Sequence, residues 1–523
     1  MIKKIINFKS KNISSAAIIL AVSYLCSRII GLIRDRLLAG TFGAGDELDI
    51  YYCAFRIPDL VYSLIVMGAI SAGFIPVFVS YRSKKNSGKE WVLANNILNL
   101  ILFSTIIICG ILIIIAPFIV PLIAPGFSEE KILWTVKLTR IMFLSPIFLS
   151  VSAILGGILQ SFKKFFIYSL APVMYNLGII FGILFLIKPF GLYGLAFSVV
   201  LGAFLHMLIQ IPSAISCGFH YRFILDLFDA GIRRILRLMP ARTLSLAVSQ
   251  INFLGMTIIA SFLSSGSITI YNFSYNLYAF PLGIFGVSFA IASFPYLSES
   301  FAEKNLEKFV SIFSSACRKI LFLIIPISFL FIVLRYQLVK VILGTGKFSL
   351  KDINLTSLTL SLFCIGVFAE ALILLLIRGF FAIEDTFTPF FVGIISISVR
   401  LASALILIKY LDVAGLALGY SLGSFIYFSL LWILLKKKIG FLDERNIFVR
   451  LCKIVFSASV SAFFSYISLI LTGFLIGSHT AFGCFIQGII CGSIGIFVYI
   501  LISHILKLSE VNIVDEFLSI LRK

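Results

Sequence analysis

From Ile97 to Leu122, and again from Ile454 to Ile476, the chain carries no charged residue. Runs of that length decide what the chain can fold into. A helix crossing a bilayer needs roughly 20 consecutive apolar residues, and in lipid every backbone N–H and C=O must be bonded within the segment. The runs lack the two-residue alternation of barrel strands, so a β-barrel is excluded. With 60% hydrophobic and 13% charged residues over 523 positions, no soluble core could hide the apolar surface. The expectation is an all-α, polytopic membrane protein with about fourteen transmembrane helices.

The spans are placed at 13–33, 50–80, 92–122, 134–160, 167–188, 192–216, 238–264, 268–297, 311–334, 355–381, 389–410, 413–435, 451–475 and 481–506. The formal charge of +20 would suggest nucleic acid in a soluble protein, but here topology explains it first. Alternate loops are basic: Arg82 with Lys84, Lys85 and Lys89; Lys163 and Lys164; Arg222 with Arg233, Arg234 and Arg237; Lys436 to Lys438 with Arg445 and Arg450. The loops between them are acidic or neutral, such as Asp46, Glu47 and Asp49 or Glu129 and Glu130. Both termini are therefore expected on the cytoplasmic side. The segment 335–352, with Arg335, Lys340, Lys347 and Lys351, disobeys the pattern. An amphipathic inside helix is expected after Ile505. Nine scattered cysteines and four separated histidines show no metal-ligand spacing. No signal peptide is evident at the N-terminus.

An internal repeat sets the organisation. Leu-Gly-Ala-Phe at 201–204 matches Leu-Gly-Ser-Phe at 422–425, Gly-Leu-Ala at 194–196 matches Gly-Leu-Ala at 415–417, and Phe127-Ser128 matches Phe348-Ser349, all at an offset of 221. Weaker matches, Asp49-Ile50-Tyr51 with Thr269-Ile270-Tyr271 and Ala171-Pro172 with Thr388-Pro389, lie at 220 and 217. Such an offset spans about six helices, an even number, so the halves are expected to be parallel repeats about an axis along the membrane normal. The expected domains are an N-terminal six-helix lobe (1–216), a cytoplasmic linker (217–237), a C-terminal six-helix lobe (238–436), and two additional helices with a short tail (437–523). Duplicated lobes are the usual build of alternating-access transporters; a duplicated channel or scaffold is the plainer alternative.

Ionisable groups inside spans cost a few kcal/mol each, roughly, on insertion scales and are functional candidates. Arg28 lies deep in the first span, with Arg34 six residues on. Arg56 opens the second span, Arg242 follows Pro240 in the seventh, and Arg378 and Arg400 lie in the tenth and eleventh; the anionic set is Asp35, Asp59 and Glu370. Plainer readings stand beside these. Arg34, Asp35 and Arg36 form either a self-paired helix end or a functional group. Arg56 and Asp59, three residues apart, can pair. Arg378 can snorkel to the surface. Glu370 is either a proton or cation carrier or the partner of Arg400. Arg28 and Arg400 cannot easily reach an interface, so a water-filled cavity is the economical explanation. Arginine keeps its charge and forks onto phosphate or carboxylate, so the ligand is expected to be anionic. No GxxxxGK[ST], HExxH or GxSxG motif is present, and no soluble stretch could house a catalytic domain. No catalytic residue, cofactor or metal site is expected.

Several blocks carry a family resemblance: Ser27-Arg28-Ile-Ile-Gly31-Leu-Ile-Arg34-Asp35, Phe42-Gly43-Ala-Gly45, Asp49, Phe55-Arg56-Ile-Pro58 and Gly68-Ala69-Ile-Ser71-Ala-Gly-Phe74-Ile-Pro76. Further matches are Ala124-Pro-Gly-Phe127, Ala171-Pro172 with Asn176, Ser249-Gln250-Ile251, Phe280-Pro281, Gly346-Lys-Phe348, and Asp385-Thr386 with Thr388-Pro389. In this order, from about residue 13 to 440, the chain resembles the MurJ/MviN lipid II flippases of the multidrug/oligosaccharidyl-lipid/polysaccharide exporter superfamily. The resemblance implies two six-helix lobes plus two helices that form a lipid-tail groove. It implies transfer of lipid II, the undecaprenyl-pyrophosphate-linked cell-wall precursor, from the inner to the outer leaflet by a monomer in the cytoplasmic membrane, with no nucleic-acid partner. Arg28 and Arg34 match family arginines of a central cavity, and Arg56 falls at a basic position. Asp35, Asp49, Gly31, Gly68 and Pro58 are implied as gating or structural positions. The chain departs from the pattern at Tyr62 and Met67, and at Asn276 and Ala279, where the family carries Arg, Glu, Arg and Glu. Arg242 and Arg400 are the candidates to replace the cations missing at Tyr62 and Asn276. A drug or another polyprenyl-linked oligosaccharide as cargo, or a non-transporting scaffold, are the alternatives.

Overall fold

The computed structural model describes residues 13–67, 73–83, 88–476 and 480–512; within these, the side chains of 13–21, 67, 83, 241, 242, 244, 245, 475 and 476 lie outside the described set. The main helices are α1 (Ile13–Phe42), α2 (Asp46–Val61), α3 (Ile75–Ser83), α4 (Lys89–Ile123), α5 (Glu129–Met142), α6 (Leu144–Ser161), α7 (Phe165–Phe185) and α8 (Leu192–Leu208). They continue as α9 (Ala230–Ser261), α10 (Ser267–Pro281), α11 (Val287–Ala302), α12 (Leu306–Val333), α13 (Arg335–Ile342), α14 (Leu350–Ile365), α15 (Val367–Ala382), α16 (Phe387–Leu411), α17 (Val413–Ile439), α18 (Glu444–Ile476) and α19 (Ala481–Ile505). No strand forms among the described residues.

Among the described residues, ten helical stretches are long and apolar enough to span a bilayer, or eleven with the pair α14–α15, which bends by 45° at Gly366. Three sequence-read spans fall outside that number. The 13–33 segment begins α1, where the first nine side chains are outside the described set. The 50–80 segment runs through α2 and a wide π-turn at Tyr62–Met67 into residues 68–72, also outside it. The 238–264 segment is the far part of α9, where the side chains of 241, 242, 244 and 245 lie outside the described set and the described apolar stretch is Leu246–Ser261. The basic loop residues Lys84 and Lys85 and the expected tail helix beyond residue 512 likewise lie outside the described residues.

Side-chain caps fix where helices begin. The Ser128 hydroxyl accepts from the Lys131 N–H, and the Ser349 hydroxyl accepts from the Asp352 N–H, whose carboxylate accepts in return from the Ser349 N–H. These two caps are 221 residues apart, the repeat offset. Helix pairs repeat as well. In α7–α8 a Cβ at Gly194 would lie 2.5 Å from the Leu186 carbonyl oxygen; in α16–α17 a Cβ at Gly415 would lie 2.6 Å from the Leu407 carbonyl carbon. Gly194 and Gly415 are one repeat apart, as are Leu186 and Leu407. Both glycines permit backbone-to-backbone approach of neighbouring spans, which lipid does not drive hydrophobically and which packing must supply.

The helices pack into two compact units. One comprises the chain to Leu38 and Gly45–Ile268; the other comprises Ala39–Ala44 and Thr269 onward. In the first, α9 packs along the second span: Thr243 Oγ1 donates to the Leu64 carbonyl and Gln250 Nε2 to Ser63 Oγ. The repeat places this segment at the head of the second half, while its packing places it in the first unit. A pair of loop contacts shows the same exchange. The Gly126 N–H donates to Ser261 Oγ at 3.1 Å in the first unit, and the Lys347 N–H donates to the Gly40 carbonyl at 2.9 Å in the second. Gly126 and Lys347, and Gly40 and Ser261, are each one repeat apart.

The glycine contacts give a direct test. A Cβ at Gly202 would sit 2.6 Å from the Tyr175 carbonyl oxygen, whereas nothing lies within 4 Å of one at Gly110. Gly202→Val should lower stability by about 1–3 kcal/mol through overpacking, and Gly110→Ala should leave it unchanged or slightly raised. Thermal unfolding of the purified protein in detergent measures both.

Candidate functional site: intramembrane arginines and their partners

Arg28 lies about 22 Å along α1 at 1.5 Å per residue, near the middle of the helix. It is half-buried, and its Nε and Nη2 donate to the Tyr24 hydroxyl one turn earlier, at 3.0 and 2.8 Å. Among the described residues no carboxylate lies within ion-pair distance of it. Arg34 is held differently. Its Nε and Nη2 donate to Asp35 Oδ1 at 3.0 and 2.7 Å, and Nη1 donates to Asn176 Oδ1 at 3.0 Å. Asn176 belongs to α7, where its amide donates to the Pro172 carbonyl and to the Ser27 carbonyl of α1. The Ala171-Pro172-to-Asn176 motif thus serves to hold Arg34. Gly31 faces the same amide, with a Cβ there lying at ordinary contact distance, 3.9 Å. Asp35 is buried, and Arg34 is its ion-pair partner.

Arg56, half-buried in α2, donates from Nε to Thr257 Oγ1 of α9 at 2.9 Å and lies 5.3 Å over the Phe253 ring. Pro58 sits buried within α2 ahead of the π-turn. Asp49 is buried and accepts from the Gly266 N–H at 2.7 Å, placing a carboxylate against the positive end of α10. Burial would raise the Asp46 carboxyl, but hydrogen bonds from Lys131 and Ser265, with the lysine's charge, outweigh it and hold it below the usual carboxylate range. Tyr62, where the family pattern has a cation, packs against the apolar core around Phe74 and Phe78.

In the second unit Arg400 is buried, donates from Nη2 to Glu370 and to Ser424 Oγ, and lies 4.1 Å over the Tyr420 ring. Ser424 Oγ also donates to Glu370 Oε1 at 2.6 Å. Gly423 makes the room, since a Cβ there would lie 2.0 Å from Arg400 Cγ. Of the two roles open to Glu370, partner of Arg400 is the one the geometry supplies. The charge of Arg400 is matched inside its own unit by Glu370. Asn276 lies half-buried in α10. The side chain of Arg242, and all of Gly68, lie outside the described residues. The sequence reading did not put Tyr24 or Thr257 among the site residues; each is an ordinary polar residue whose role appears only once its arginine partner is in place.

Long, bent, apolar helices in two units, with arginines at membrane depth, define a polytopic membrane protein. The fold has solved counterparts. An inward-facing multidrug MATE transporter of the MOP superfamily aligns with TM-score 0.62 and 14% identity, over 80% of this chain and 96% of that one. A structure described as lipid II flippase MurJ in an inward closed conformation aligns with TM-score 0.76 and 26% identity, over 94% of this chain and 98% of that one. A family profile described as lipid II flippase MurJ matches residues 38–485. Two proteins named probable lipid II flippase MurJ, from Buchnera aphidicola of Schizaphis graminum and of Baizongia pistaciae, are each 30% identical. The first covers 97% of this chain and 99% of its own length, the second 87% and 90%. The chain belongs to the MurJ family.

Removing one member of a buried ion pair leaves an uncompensated charge, which costs about 3–5 kcal/mol, whereas replacing both with apolar residues is close to neutral. Arg400→Leu is therefore expected to destabilise strongly, and Arg400→Leu with Glu370→Leu to recover most of the loss. A double-mutant thermal-stability cycle measures this; equal losses in the single and double variants would remove the pair from the account.

Proposed function

We propose that this protein moves lipid II from the inner to the outer leaflet of the cytoplasmic membrane by alternating access. The headgroup's pyrophosphate is held by Arg28, Arg34 and Arg56 of the first unit. The observation that carries this reading is Arg28: a half-buried guanidinium at mid-helix depth whose partner among the described residues is Tyr24, through its hydroxyl and ring. A charge held there without a carboxylate is poised for an anionic ligand, and a pyrophosphate offers the forked acceptors a guanidinium fits. Family membership supports lipid II as the cargo. Arg242 and Asn276 are kept as second-half contributors, while Arg400 is assigned to Glu370.

The division into a lobe at 1–216, a linker at 217–237, a lobe at 238–436 and an added pair at 437–523 belongs to the same proposal, as do cytoplasmic termini and a monomeric state. The added pair, α18 and α19, is seated in the second unit. Tyr499 Oη donates to the Phe322 carbonyl of α12 at 2.7 Å, and Ser461 Oγ donates to the Gly495 carbonyl. Ser461 is thus a packing residue, and the face offered to an isoprenoid tail is the exposed apolar one with Phe463, Phe474, Phe485 and Phe497. With the interior negative, outward movement of an anion gains about 2.3 kcal/mol per charge per 100 mV, so the membrane potential alone can drive the transfer.

The test is rescue of a host depleted of its own lipid II flippase. The wild-type gene should restore growth. Arg28→Ala should not, although the protein reaches the membrane at normal levels, because removing a cation from a span does not impair insertion. Arg28→Lys should rescue weakly, keeping charge and losing the fork. Full rescue by Arg28→Ala would overturn the assignment.

A further inference from the structure

The chain entering α9 runs extended from Phe219 to Asp226, a non-helical stretch laid along α4. Three buried asparagines of α4 hold it. Asn95 Nδ2 donates to the His220 carbonyl while the Arg222 N–H donates to Asn95 Oδ1, at 3.0 and 2.7 Å. Asn96 does the same with Asp226, donating to its carbonyl at 2.8 Å and accepting from its N–H at 2.9 Å. Asn99 Nδ2 donates to the Arg222 and Ile224 carbonyls, and Tyr221 Oη donates to Asn99 Oδ1. Each side-chain amide offers one acceptor and two donors, so the row acts as the edge of a strand. A loop in water needs no such ladder, because water satisfies its backbone. A non-helical backbone sunk among acyl chains does need it.

The side chains match that placement. Tyr221, Phe223, Leu225, Leu227 and Phe228 are all exposed, Phe223 at 65% and Phe228 at 79%. The Phe223 ring lies edge-on to Phe103 of α4 at 5.9 Å, and Phe103 opens an exposed apolar row with Ile106 and Ile107. The apolar side of the linker is therefore continuous with the lipid-facing side of a transmembrane helix. The 35 residues of α4 measure about 52 Å against a hydrocarbon core of about 30 Å, so its first turns, which carry the asparagines, reach the interface. Beside this row stand exposed Arg222, Arg233, Arg234 and Arg237, none of them ion-paired among the described residues, with Arg233 over the Phe228 ring. The nearby acids are engaged with backbone: Asp226 accepts from the Phe228 N–H and Asp229 from the Ile232 N–H.

We propose that residues 219–237 are an interfacial anchor for anionic phospholipid. The apolar row enters the acyl-chain boundary, the arginines take lipid phosphates, and the asparagine ladder lets an extended backbone lie at that depth. The leaflet, but not the insertion itself, rests on the topology proposed above.

The experiment places nitroxide labels, one at a time, at Phe223→Cys, Leu225→Cys, Arg222→Cys and Arg234→Cys in the full chain with its native cysteines replaced, reconstituted in nanodiscs of phosphatidylglycerol and phosphatidylcholine. Labels at 223 and 225 should be accessible to oxygen and shielded from a water-soluble nickel chelate, and labels at 222 and 234 the reverse. Asn99→Ala, or the triple alanine variant at Asn95, Asn96 and Asn99, should abolish the difference between 223 and 222. Omitting phosphatidylglycerol should make the label at 234 more mobile, unless Arg233→Gln and Arg237→Gln have already done so. Equal nickel access at all positions would overturn the anchor. Ordering that appears only on adding lipid II, with no response to phosphatidylglycerol, would overturn bulk phospholipid as its ligand. Neither result depends on whether the protein transports.

Discussion

The low dielectric of the membrane core governs this structure: a charge or backbone polar group placed there must have a partner or a reason to lack one. The buried members comply. Glu370 and Arg400 face each other with Ser424 between them, and Asp35 is matched by Arg34. Ser461 and Ser465 of α18 bond carbonyls of α19, and Ser457 and Ser459 bond carbonyls of their own helix. Against that background Arg28, whose hydrogen-bond partner among the described residues is the Tyr24 phenol, stands apart. The functional proposal grows from that contrast, since binding energy for an anion is available where a cation has not been neutralised in advance.

The two halves keep the repeat in their helix caps and tight glycines and differ in their charged residues. The caps at Ser128 and Ser349 and the tight glycines at 194 and 415 persist in both halves. The polar cluster does not. One repeat before Arg400, Glu370, Tyr420 and Ser424 the chain carries Ile179, Leu149, Val199 and Ala203, all apolar. The first half instead holds its charge on α1 and α2. Among the described residues, the second unit pairs Arg400 with Glu370, while the first holds Arg28 with no carboxylate at ion-pair distance beside its Arg34–Asp35 pair.

Much of this was legible in the sequence because it is written locally. Uninterrupted apolar runs gave most spans, near-equal offsets gave the repeat seen in its caps and tight glycines, and in-span charges gave the Glu370–Arg400 pairing. What stayed hidden depends on partners far apart in the chain. Asn176 reaches Arg34 across 142 residues and Gly266 reaches Asp49 across 217, and no periodicity records such meetings. The packing of α9 with the first unit was equally unreadable, because the repeat encodes ancestry rather than contact. The asparagines at 95, 96 and 99 were visible as polar residues at the start of an apolar helix, but their role needed the linker laid beside them.

The central claim is that the first unit's arginines, with Arg28 foremost, hold a pyrophosphate-bearing lipid headgroup. Equilibrium binding of lipid II to the purified protein in nanodiscs tests it most directly. Loss of a charge-assisted contact of about 1.5–3 kcal/mol predicts that Arg28→Ala weakens binding by roughly 10- to 100-fold, with affinity in the wild type falling as salt rises. Replacing Glu370 and Arg400 together by leucine should leave that affinity unchanged. Equal affinity in wild type and Arg28→Ala, or loss of binding only when the Glu370–Arg400 pair is removed, would contradict the account.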